Sequence, residues 1–195
     1  ALYYYPGTKR KVKNWYVNSY RGLTSLREAM AQSMNVVAVK TLNDVSPKIG
    51  YDYLLNLGFT TLVDNYTSQD GKTYTDISLP LALGGLTKGV TNLELTNGFA
   101  TIANQGLYHP AFFYTKIVDH DGNVLLDNTM NTDTRQVMKE STAWLLTSAM
   151  EDVILKGTGS RLKFKKINMP QAGKTGTSTG NRDLWFVGYT PYLTA

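Results

Sequence analysis

The chain has 195 residues, of which 42% are hydrophobic and 18% charged, which indicates one globular domain with a hydrophobic core and excludes a disordered protein. It contains no cysteine, which excludes a disulfide framework, a thiolate zinc site and a cysteine nucleophile. The net charge of +5 lies partly in two basic runs, Lys9–Lys13 and Arg161–Lys166. Neither run carries a nucleic-acid-binding motif, so we interpret both as solvated surface and expect no nucleic-acid partner.

The ends of the sequence indicate a fragment. No apolar stretch approaches the ~18 residues that span a bilayer, and the first residues do not have the organisation of a signal peptide. The sequence begins without a methionine, and it stops at what is predicted to be the end of a strand. We therefore expect this chain to be part of a longer protein.

The first half of the chain is predicted to be helical. Ser25 and Glu28 have the spacing of a capping box and open a helix. The helical pattern is interrupted at residues 32–35 and resumes to about residue 45. A shorter helix is predicted between Pro47, in its first turn, and Gly58, just past its end.

The next elements are a helix, a hairpin and another helix. Thr91 and Glu94 form a second capping-box pattern, and the helix that they open should end with Gly106 at its C′ position. Two apolar runs flank Asp121-Gly122, which indicates a β-hairpin with its turn there. Residues 139–156 again have helical periodicity, with Gly157 as the stop signal.

The last segment predicts two strands, residues 171–178 and 184–190, joined by "TGNR". Helices therefore come first and an antiparallel pair comes late. This order predicts a helix-rich α+β fold and not the regular βαβ alternation of a nucleotide-binding fold.

The sequence "AGKT" within this segment matches the end of a phosphate-binding loop, whose pattern is G-x-x-x-x-G-K-S/T. That pattern requires glycine at position 168, where this chain has asparagine. The upstream "KFKKIN" is too charged for a buried strand, and the downstream "TGTSTG" is a poor helix start. These three mismatches exclude the nucleotide-binding interpretation.

As a strand, the same residues can form one wall of a binding site. Lys174, Gly176 and Ser178 alternate with Thr175 and Thr177, so that an ammonium group and hydroxyl groups project from the strand. Gly176 leaves bare backbone against which a substrate could lie. An edge strand that happens to contain lysine and threonine would have the same pattern.

A second motif, Ser33-Met34-Asn35, lies in the interruption between the two helical segments. A helix cap is one explanation, because serine and asparagine are favoured there. However, S-x-N followed by K-T-G, here Lys174-Thr175-Gly176, is also the order of two of the three motifs of penicillin-binding proteins and class A β-lactamases.

Beyond these motifs, most of the chain resembles the C-terminal part of the transpeptidase domain of class A penicillin-binding proteins. The resemblance is carried by "YRGLTSLREAMAQSMNVVAVKTL", "LPLALGGLTKGVTNLELTNGFATIANQGLYHP", "QVMKESTAWLLTSAMEDVILKGTGS" and "AGKTGTSTGNRDLWFVGYTPYLTA". It implies that residues 1–195 form an incomplete α+β domain of the penicillin-binding protein/β-lactamase-like fold, with a helical region and an antiparallel sheet.

The chain departs from the family at the S-x-x-K motif, which provides the nucleophilic serine and lies upstream of S-x-N. No residues upstream of Ser33 fit that motif. The only S-x-x-K is Ser160–Lys163, which follows S-x-N in a connection rich in glycine and lysine, and we interpret it as a coincidence. We therefore expect the nucleophile on a companion chain or segment.

The resemblance implies a serine acyltransferase that cross-links peptidoglycan stem peptides through an acyl-enzyme and is acylated by β-lactams. Ser33 is expected to relay a proton to the leaving amine, and Asn35 to hold the lysine of the absent motif and the donor amide. Lys174 is expected to supply positive potential for the substrate carboxylate. The substrate-binding residues implied are Thr175, Gly176, Thr177 and Ser178, with the N–H of Thr177 as half of an oxyanion hole.

The resemblance also implies the surroundings of the reaction. The partners are stem peptides and β-lactams, the location is the extracytoplasmic face of the bacterial membrane, and no cofactor or metal is needed. Family members generally carry a glycosyltransferase domain and a membrane anchor, which would lie outside this chain. A serine β-lactamase and a non-catalytic sensor of stem peptides or β-lactams are the alternatives.

Overall fold

The computed structural model describes residues 3–16, 21–129 and 133–195. Its helices are α1 (Leu26–Ala31), α2 (Asn35–Val45), α3 (Pro47–Asn56), α4 (Asn92–Ala103) and α5 (Glu140–Leu155), with a short 3-10 turn at Leu79–Leu83. No helix within the described residues is long and apolar enough to cross a membrane.

All strands of the described residues form antiparallel pairs. The pairs are β1 (Tyr3–Tyr4) with β2 (Lys11–Val12), β3 (Tyr66–Thr67) with β4 (Thr73–Tyr74), β5 (Leu107–Tyr108) with β8 (Arg135–Gln136), β6 (Lys116–Val118) with β7 (Val124–Asp127), and β9 (Ala172–Thr177) with β10 (Leu184–Tyr189). The predicted α+β architecture is confirmed. The β1–β2, β3–β4 and β5–β8 pairs were not predicted from the sequence, because their strands have two residues each and are too short to show a period.

The predicted helix starts are correct because the side chains that begin them make their capping hydrogen bonds. Ser25 accepts a bond from the N–H of Glu28 at the start of α1. Thr91 and Glu94 form a complete capping box at the start of α4. The interruption predicted between α1 and α2 is also present, at residues 32–34.

The prediction for the end of α4 was wrong by one position. Asn104 is the C-cap, so the C′ residue is Gln105, which adopts a φ of 58°, and Gly106 follows it at C″ with a φ of 84°. The N–H of Gly106 bonds to the carbonyl of Thr101, and the N–H of Gln105 to that of Ile102. These two bonds form a Schellman motif, which places the more permissive glycine one residue later than predicted.

The main core lies between the helices and one face of the β9–β10 hairpin. Met150 of α5, Ala172 of β9 and Tyr189 of β10 are buried together. The partly buried side chains packed against them come from α1, α4 and α5: Met30, Phe99, Ile102 and Leu146. The hydroxyl of Tyr189 also lies 2.6 Å from that of Thr147, so a polar contact joins α5 to the hairpin.

Helix α1 is fixed to α5 at both of its ends. Arg27 donates to the carbonyl of Ser148 at 2.7 Å and to the carboxylate of Asp152 at 3.2 Å. At the other end, Gly157 lies so close to Ala31 that an added Cβ would be 2.2 Å from the carbonyl oxygen of Ala31. Gly157 follows the end of α5, as predicted, but this close approach rather than a left-handed conformation requires glycine there.

A buried carboxylate organises the loop between α3 and α4. Asp76 is 1% exposed and accepts hydrogen bonds from the N–H of Val63, at 2.8 Å, and from the N–H and hydroxyl of Thr87, both at 2.7 Å. These bonds draw both ends of the loop towards the 3-10 turn Leu79–Leu83, which packs on α2.

Substitution of Asp76 by asparagine should destabilise the protein. An amide must present an NH₂ group to one of the donors that the carboxylate now accepts from, which leaves a buried N–H without a partner and lowers the free energy of unfolding by roughly 2–3 kcal/mol. Urea denaturation would measure this loss. Asp44→Asn, at an exposed position of α2, is the control and should change the free energy little. Equal stability of the two variants would contradict the role given to Asp76.

Glu94 should make stability depend on pH in the acid range. Its partial burial alone would raise the pKa, but hydrogen bonds from the backbone and hydroxyls of Thr60 and Thr91 lower the pKa of Glu94 from its usual 4.5 to about 2. Because the unfolded chain binds this proton more readily, the contribution of Glu94 is complete above pH 4.5 and is lost as the pH falls towards 2. Urea denaturation should therefore show that the difference in free energy of unfolding between wild type and Glu94→Gln becomes smaller as the pH falls from 4.5 to 2. A difference that stays constant would contradict the lowered pKa of Glu94.

Candidate active site

A cleft of about 640 Å³ lies between α1, α2, the 3-10 turn and β9. Its floor is mostly apolar and includes Met30, Val37, Leu42, Val45, Ala82 and Leu83. Its polar end is formed by Ser33 and Asn35 on one side and by residues 174–177 of β9 on the other. Among the described residues that line it, Lys174 is the only charged one. The cleft therefore suits a partly apolar ligand with a negative group at one end.

Ser33 projects from the tight turn between α1 and α2. Its N–H donates to the carbonyl of Met30, and the N–H of Met34 donates to that of Ala29. The turn forces Ser33 to a φ of 51°, in the left-handed region, which costs a non-glycine residue on the order of 1 kcal/mol. Backbone strain of this kind is found preferentially where a side chain must be presented to a ligand.

Lys174 reaches across the cleft from β9 to this turn. Its Nζ donates to the Oγ of Ser33 at 2.7 Å and to the carbonyl of Thr175 at 2.9 Å. Burial lowers the pKa of Lys174 from 10.5 to about 8. No carboxylate of the described part of the chain forms an ion pair with it. The amine is therefore mostly protonated at pH 7, unpaired by an acid, and able to lose its proton in mildly basic solution.

The edge of β9 away from β10 has no neighbouring strand among the described residues, and the carbonyl of Thr175 on that edge accepts from the Nζ of Lys174. The N–H of Ser178 donates to the carbonyl of Asp183, at the open end of the β9–β10 ladder. In an antiparallel strand the backbone N–H and C=O groups of successive residues point alternately towards and away from the partner strand. The backbones of Lys174 and Gly176 therefore also bond to β10. The backbones of Thr175 and Thr177 therefore face the free edge, where a ligand could add as a further strand.

Gly176 is not required by packing within the chain. A Cβ added to it would meet only the Cβ of Trp185, at the ordinary contact distance of 3.8 Å, and its φ is not positive. Internal packing would therefore accept a side chain here, and the open space above Gly176 faces the cleft.

Two other predicted site residues have partners elsewhere. The side-chain amide of Asn35 lines the cleft but donates to the carbonyl of Lys13 at 2.9 Å. Ser178 lies beyond the end of β9, and its Oγ accepts from the N–H of Asp183 at 2.8 Å. Ser178 is not among the residues that line the cleft, and its hydroxyl helps to close the hairpin loop.

Thr158 is a further residue of the site that was not predicted from the sequence. Its hydroxyl lies 2.6 Å from that of Thr175, and its N–H donates to the carbonyl of Ala31 at 3.0 Å. The segment Lys156–Ser160, "KGTGS", was interpreted as a helix stop and as part of the family resemblance, but no role was predicted for Thr158. A threonine between two glycines immediately after a helix was the available signal. By contrast, Ser160 of the S-x-x-K pattern is exposed in a short 3-10 turn.

The described residues contain no group of three or more histidine, cysteine, aspartate or glutamate side chains that could hold a metal ion. What the site brings together is a serine hydroxyl, a lysine amine of lowered pKa, threonine hydroxyls and a free strand edge. These groups can transfer protons, bind a carboxylate and orient a peptide-like ligand.

Comparison with known proteins gives a consistent result. Residues 2–195 match the model of the penicillin binding protein transpeptidase domain. Penicillin-binding protein 1F of Bacillus subtilis is 33% identical over 182 residues, which are 92% of this chain and 23% of that protein. Penicillin-binding protein 1A of Clostridium novyi is 33% identical over 189 residues, or 96% of this chain and 20% of that protein. The chain thus spans about a fifth of the length of these relatives.

Solved structures show the same likeness. PonA1 from Mycobacterium tuberculosis superposes with a TM-score of 0.77 and 27% identity, over 100% of this chain and 51% of that one. PonA1 in complex with penicillin V gives a TM-score of 0.79 and 25% identity, over 99% and 51% of the two chains. The cleft with its S-x-N and K-T-G residues and these matches have one explanation: the chain belongs to the penicillin-binding protein transpeptidase family.

Proposed function

We propose that this chain forms two walls of the active site of a peptidoglycan D,D-transpeptidase, a serine acyltransferase that β-lactams also acylate. The observation that carries the proposal is the hydrogen bond between Lys174 and Ser33, which joins residues 141 positions apart at the polar end of the cleft. The match to the transpeptidase family model and the solved complex of a relative with penicillin V support it.

The proposed reaction begins with a serine on a segment outside this chain. Its Oγ attacks the carbonyl of the D-Ala-D-Ala bond and loses its proton to an adjacent base; the C–N bond breaks, and the leaving D-alanine amine takes up a proton. Ser33 delivers that proton, and Lys174 replaces it through the 2.7 Å contact. The amine of a second stem peptide then attacks the ester carbonyl and gives its proton through Ser33 to Lys174; the ester C–O bond breaks, and the released serine takes its proton back from the adjacent base.

The electrostatics of the cleft favour a ligand with a terminal carboxylate. Lys174 supplies positive charge in a cleft whose other described lining residues are uncharged, and the hydroxyls of Thr175 and Thr177 are the donors proposed for the carboxylate. Such a charge interaction is stronger in a partly buried cleft than in water. The terminal carboxylate of a stem peptide and the ring carboxylate of a β-lactam both meet this requirement.

The free edge of β9 is proposed to hold the peptide. Main-chain bonds to Thr175 and Thr177 would align the donor as an added strand, with Gly176 leaving room for its backbone. The N–H of Thr177 would form half of the oxyanion hole, and the amide of the absent serine the other half. Asn35 would contact the lysine of the absent motif and the donor amide, in addition to its bond to Lys13.

We further propose that residues 1–195 are the C-terminal part of the transpeptidase domain, that a companion segment carries the S-x-x-K serine, and that the protein works on the extracytoplasmic face of the bacterial membrane. The apolar side chains of β10 support a companion, because Leu184 is 70% exposed and Phe186 37% exposed on the hairpin. A companion that packed there would remove this apolar area from water.

The first test is acylation of the complete protein by benzylpenicillin, followed by intact mass and peptide mapping. The adduct should lie on a serine outside this chain. Lys174→Ala should slow acylation by at least about 100-fold, the typical cost of removing one preorganised electrostatic group. Ser160→Ala should acylate at the wild-type rate. Acylation of Ser160 itself, or an unchanged rate in Lys174→Ala, would refute the proposal, and rapid turnover of nitrocefin would indicate a β-lactamase instead.

The second test uses the lowered pKa of Lys174. The unfolded chain keeps this lysine protonated up to its usual value of 10.5, whereas the folded site releases the proton near pH 8. The unfolded state therefore binds more protons between these values, and the contribution of Lys174 to the free energy of unfolding becomes more favourable as the pH rises from 8 to 10.5.

Urea denaturation should show that the free energy of unfolding of wild type rises relative to that of Lys174→Met as the pH increases from 8 to 10.5. Lys163→Met, at an exposed lysine, controls for the loss of one positive charge. A difference that does not vary with pH would show that the folded site does not lower the pKa of Lys174.

A further inference from the structure

Thr158 joins the two walls of the cleft without lining it. It follows α5, where Gly157 packs against Ala31 at the end of α1. The N–H of Thr158 donates to the carbonyl of Ala31 at 3.0 Å, and its hydroxyl lies 2.6 Å from that of Thr175 on β9. One residue therefore contacts the turn that carries Ser33 and the strand that carries Lys174.

The hydroxyl pair can be arranged in two ways. Each hydroxyl has one proton, and either oxygen can be the donor in the 2.6 Å bond. If Thr175 donates, its proton points to Thr158 and away from the cleft. If Thr158 donates, the proton of Thr175 is free to point to a ligand, since Thr175 lines the cleft and Thr158 does not.

We propose that Thr158 is a positioning residue for carboxylate recognition, which donates its hydroxyl to Thr175 and so turns the Thr175 hydroxyl towards the carboxylate of the substrate. This inference rests on the proposed function, in which Thr175 binds that carboxylate. No proton is transferred; the two hydroxyls only rotate when the anion enters.

The chemistry favours this arrangement once an anion is present. A carboxylate accepts hydrogen bonds and donates none, so the proton of Thr175 must face it. A hydroxyl that accepts a hydrogen bond is polarised and becomes a stronger donor, so the bond from Thr158 strengthens the bond to the carboxylate. The backbone bond of Thr158 to Ala31 fixes its position, so little ordering is required when the ligand binds.

The test compares two ligands that differ in one charge, benzylpenicillin and its methyl ester, in acylation of the complete protein. Thr158→Val keeps the shape of the side chain but removes the hydroxyl. It should slow acylation by benzylpenicillin by about ten-fold, the effect of weakening one hydrogen bond to a charged group. Acylation by the ester should change little, so the rate with benzylpenicillin divided by the rate with the ester should fall. Thr158→Ser, which keeps the hydroxyl, should retain the wild-type ratio.

The matched control is Thr147→Val. The hydroxyl of Thr147 pairs with that of Tyr189 at the same 2.6 Å and joins α5 to the same hairpin, but its partner Tyr189 does not line the cleft, whereas Thr175, the partner of Thr158, does. This variant should lose stability without changing the ratio of the two rates. Thr175→Val should lower the ratio by itself, and adding Thr158→Val to it should lower the ratio no further, because the two hydroxyls act as one unit.

The outcomes separate the inference from the proposed function. If Thr158→Val slows both ligands equally, or neither, the inference is wrong and the transpeptidase proposal stands. If the wild-type protein is not acylated by benzylpenicillin at all, the proposed function fails and the inference fails with it. Should Thr158→Val not fold, as judged by circular dichroism, Thr158→Ala removes the same hydroxyl without placing a methyl group in its position and provides the same comparison.

Discussion

The contact between Lys174 and Ser33 depends on α5. This helix packs against β9 on one side and against α1 on the other, so it sets the distance between the strand and the turn after α1. Arg27 fixes the near end of α1 to α5, and the packing of Gly157 on Ala31 fixes the far end. A shift of either partner by 1 Å would break a 2.7 Å hydrogen bond or turn it into a clash. The packing of α5 on both of its neighbours thus sets this one polar contact.

Two features of the site are energetically unfavourable for folding. Ser33 has a strained backbone, and Lys174 places an amine in a partly buried position where no carboxylate of the described residues pairs with it. Both features cost free energy of folding. Elsewhere the polar groups are well satisfied: Asp76 and Glu94 each accept several hydrogen bonds that hold the loops beside the cleft. This distribution is expected where a site must keep groups ready for a ligand, because bonds made within the site would have to be broken on binding.

The sequence predicted those features that depend on neighbouring residues. The caps at Ser25 and Thr91 and the β9–β10 hairpin were predicted because each is encoded within a few positions. The motifs at Ser33 and Lys174 could be found in the sequence, but the distance between them could not, since it depends on the packing of a helix between them. Thr158 was missed for the same reason: a small polar residue after a helix is normally a stop, and its role depends on Ala31 and Thr175, which are distant in sequence. The short strand pairs also depend on tertiary contacts rather than on periodicity.

The charge distribution of the cleft explains why an amine of lowered pKa suits it. A fully exposed lysine would attract a carboxylate weakly, because water and salt screen the charge. A lysine paired with an acid would have no net charge to offer. Partial burial, with no acidic partner among the described residues, strengthens the attraction and for the same reason lowers the pKa of Lys174 to about 8. Binding a carboxylate next to Lys174 would raise its pKa again, since an opposite charge stabilises the ammonium. The ammonium form is therefore favoured while a carboxylate is bound, and the pKa of Lys174 is about 8 when the cleft is empty.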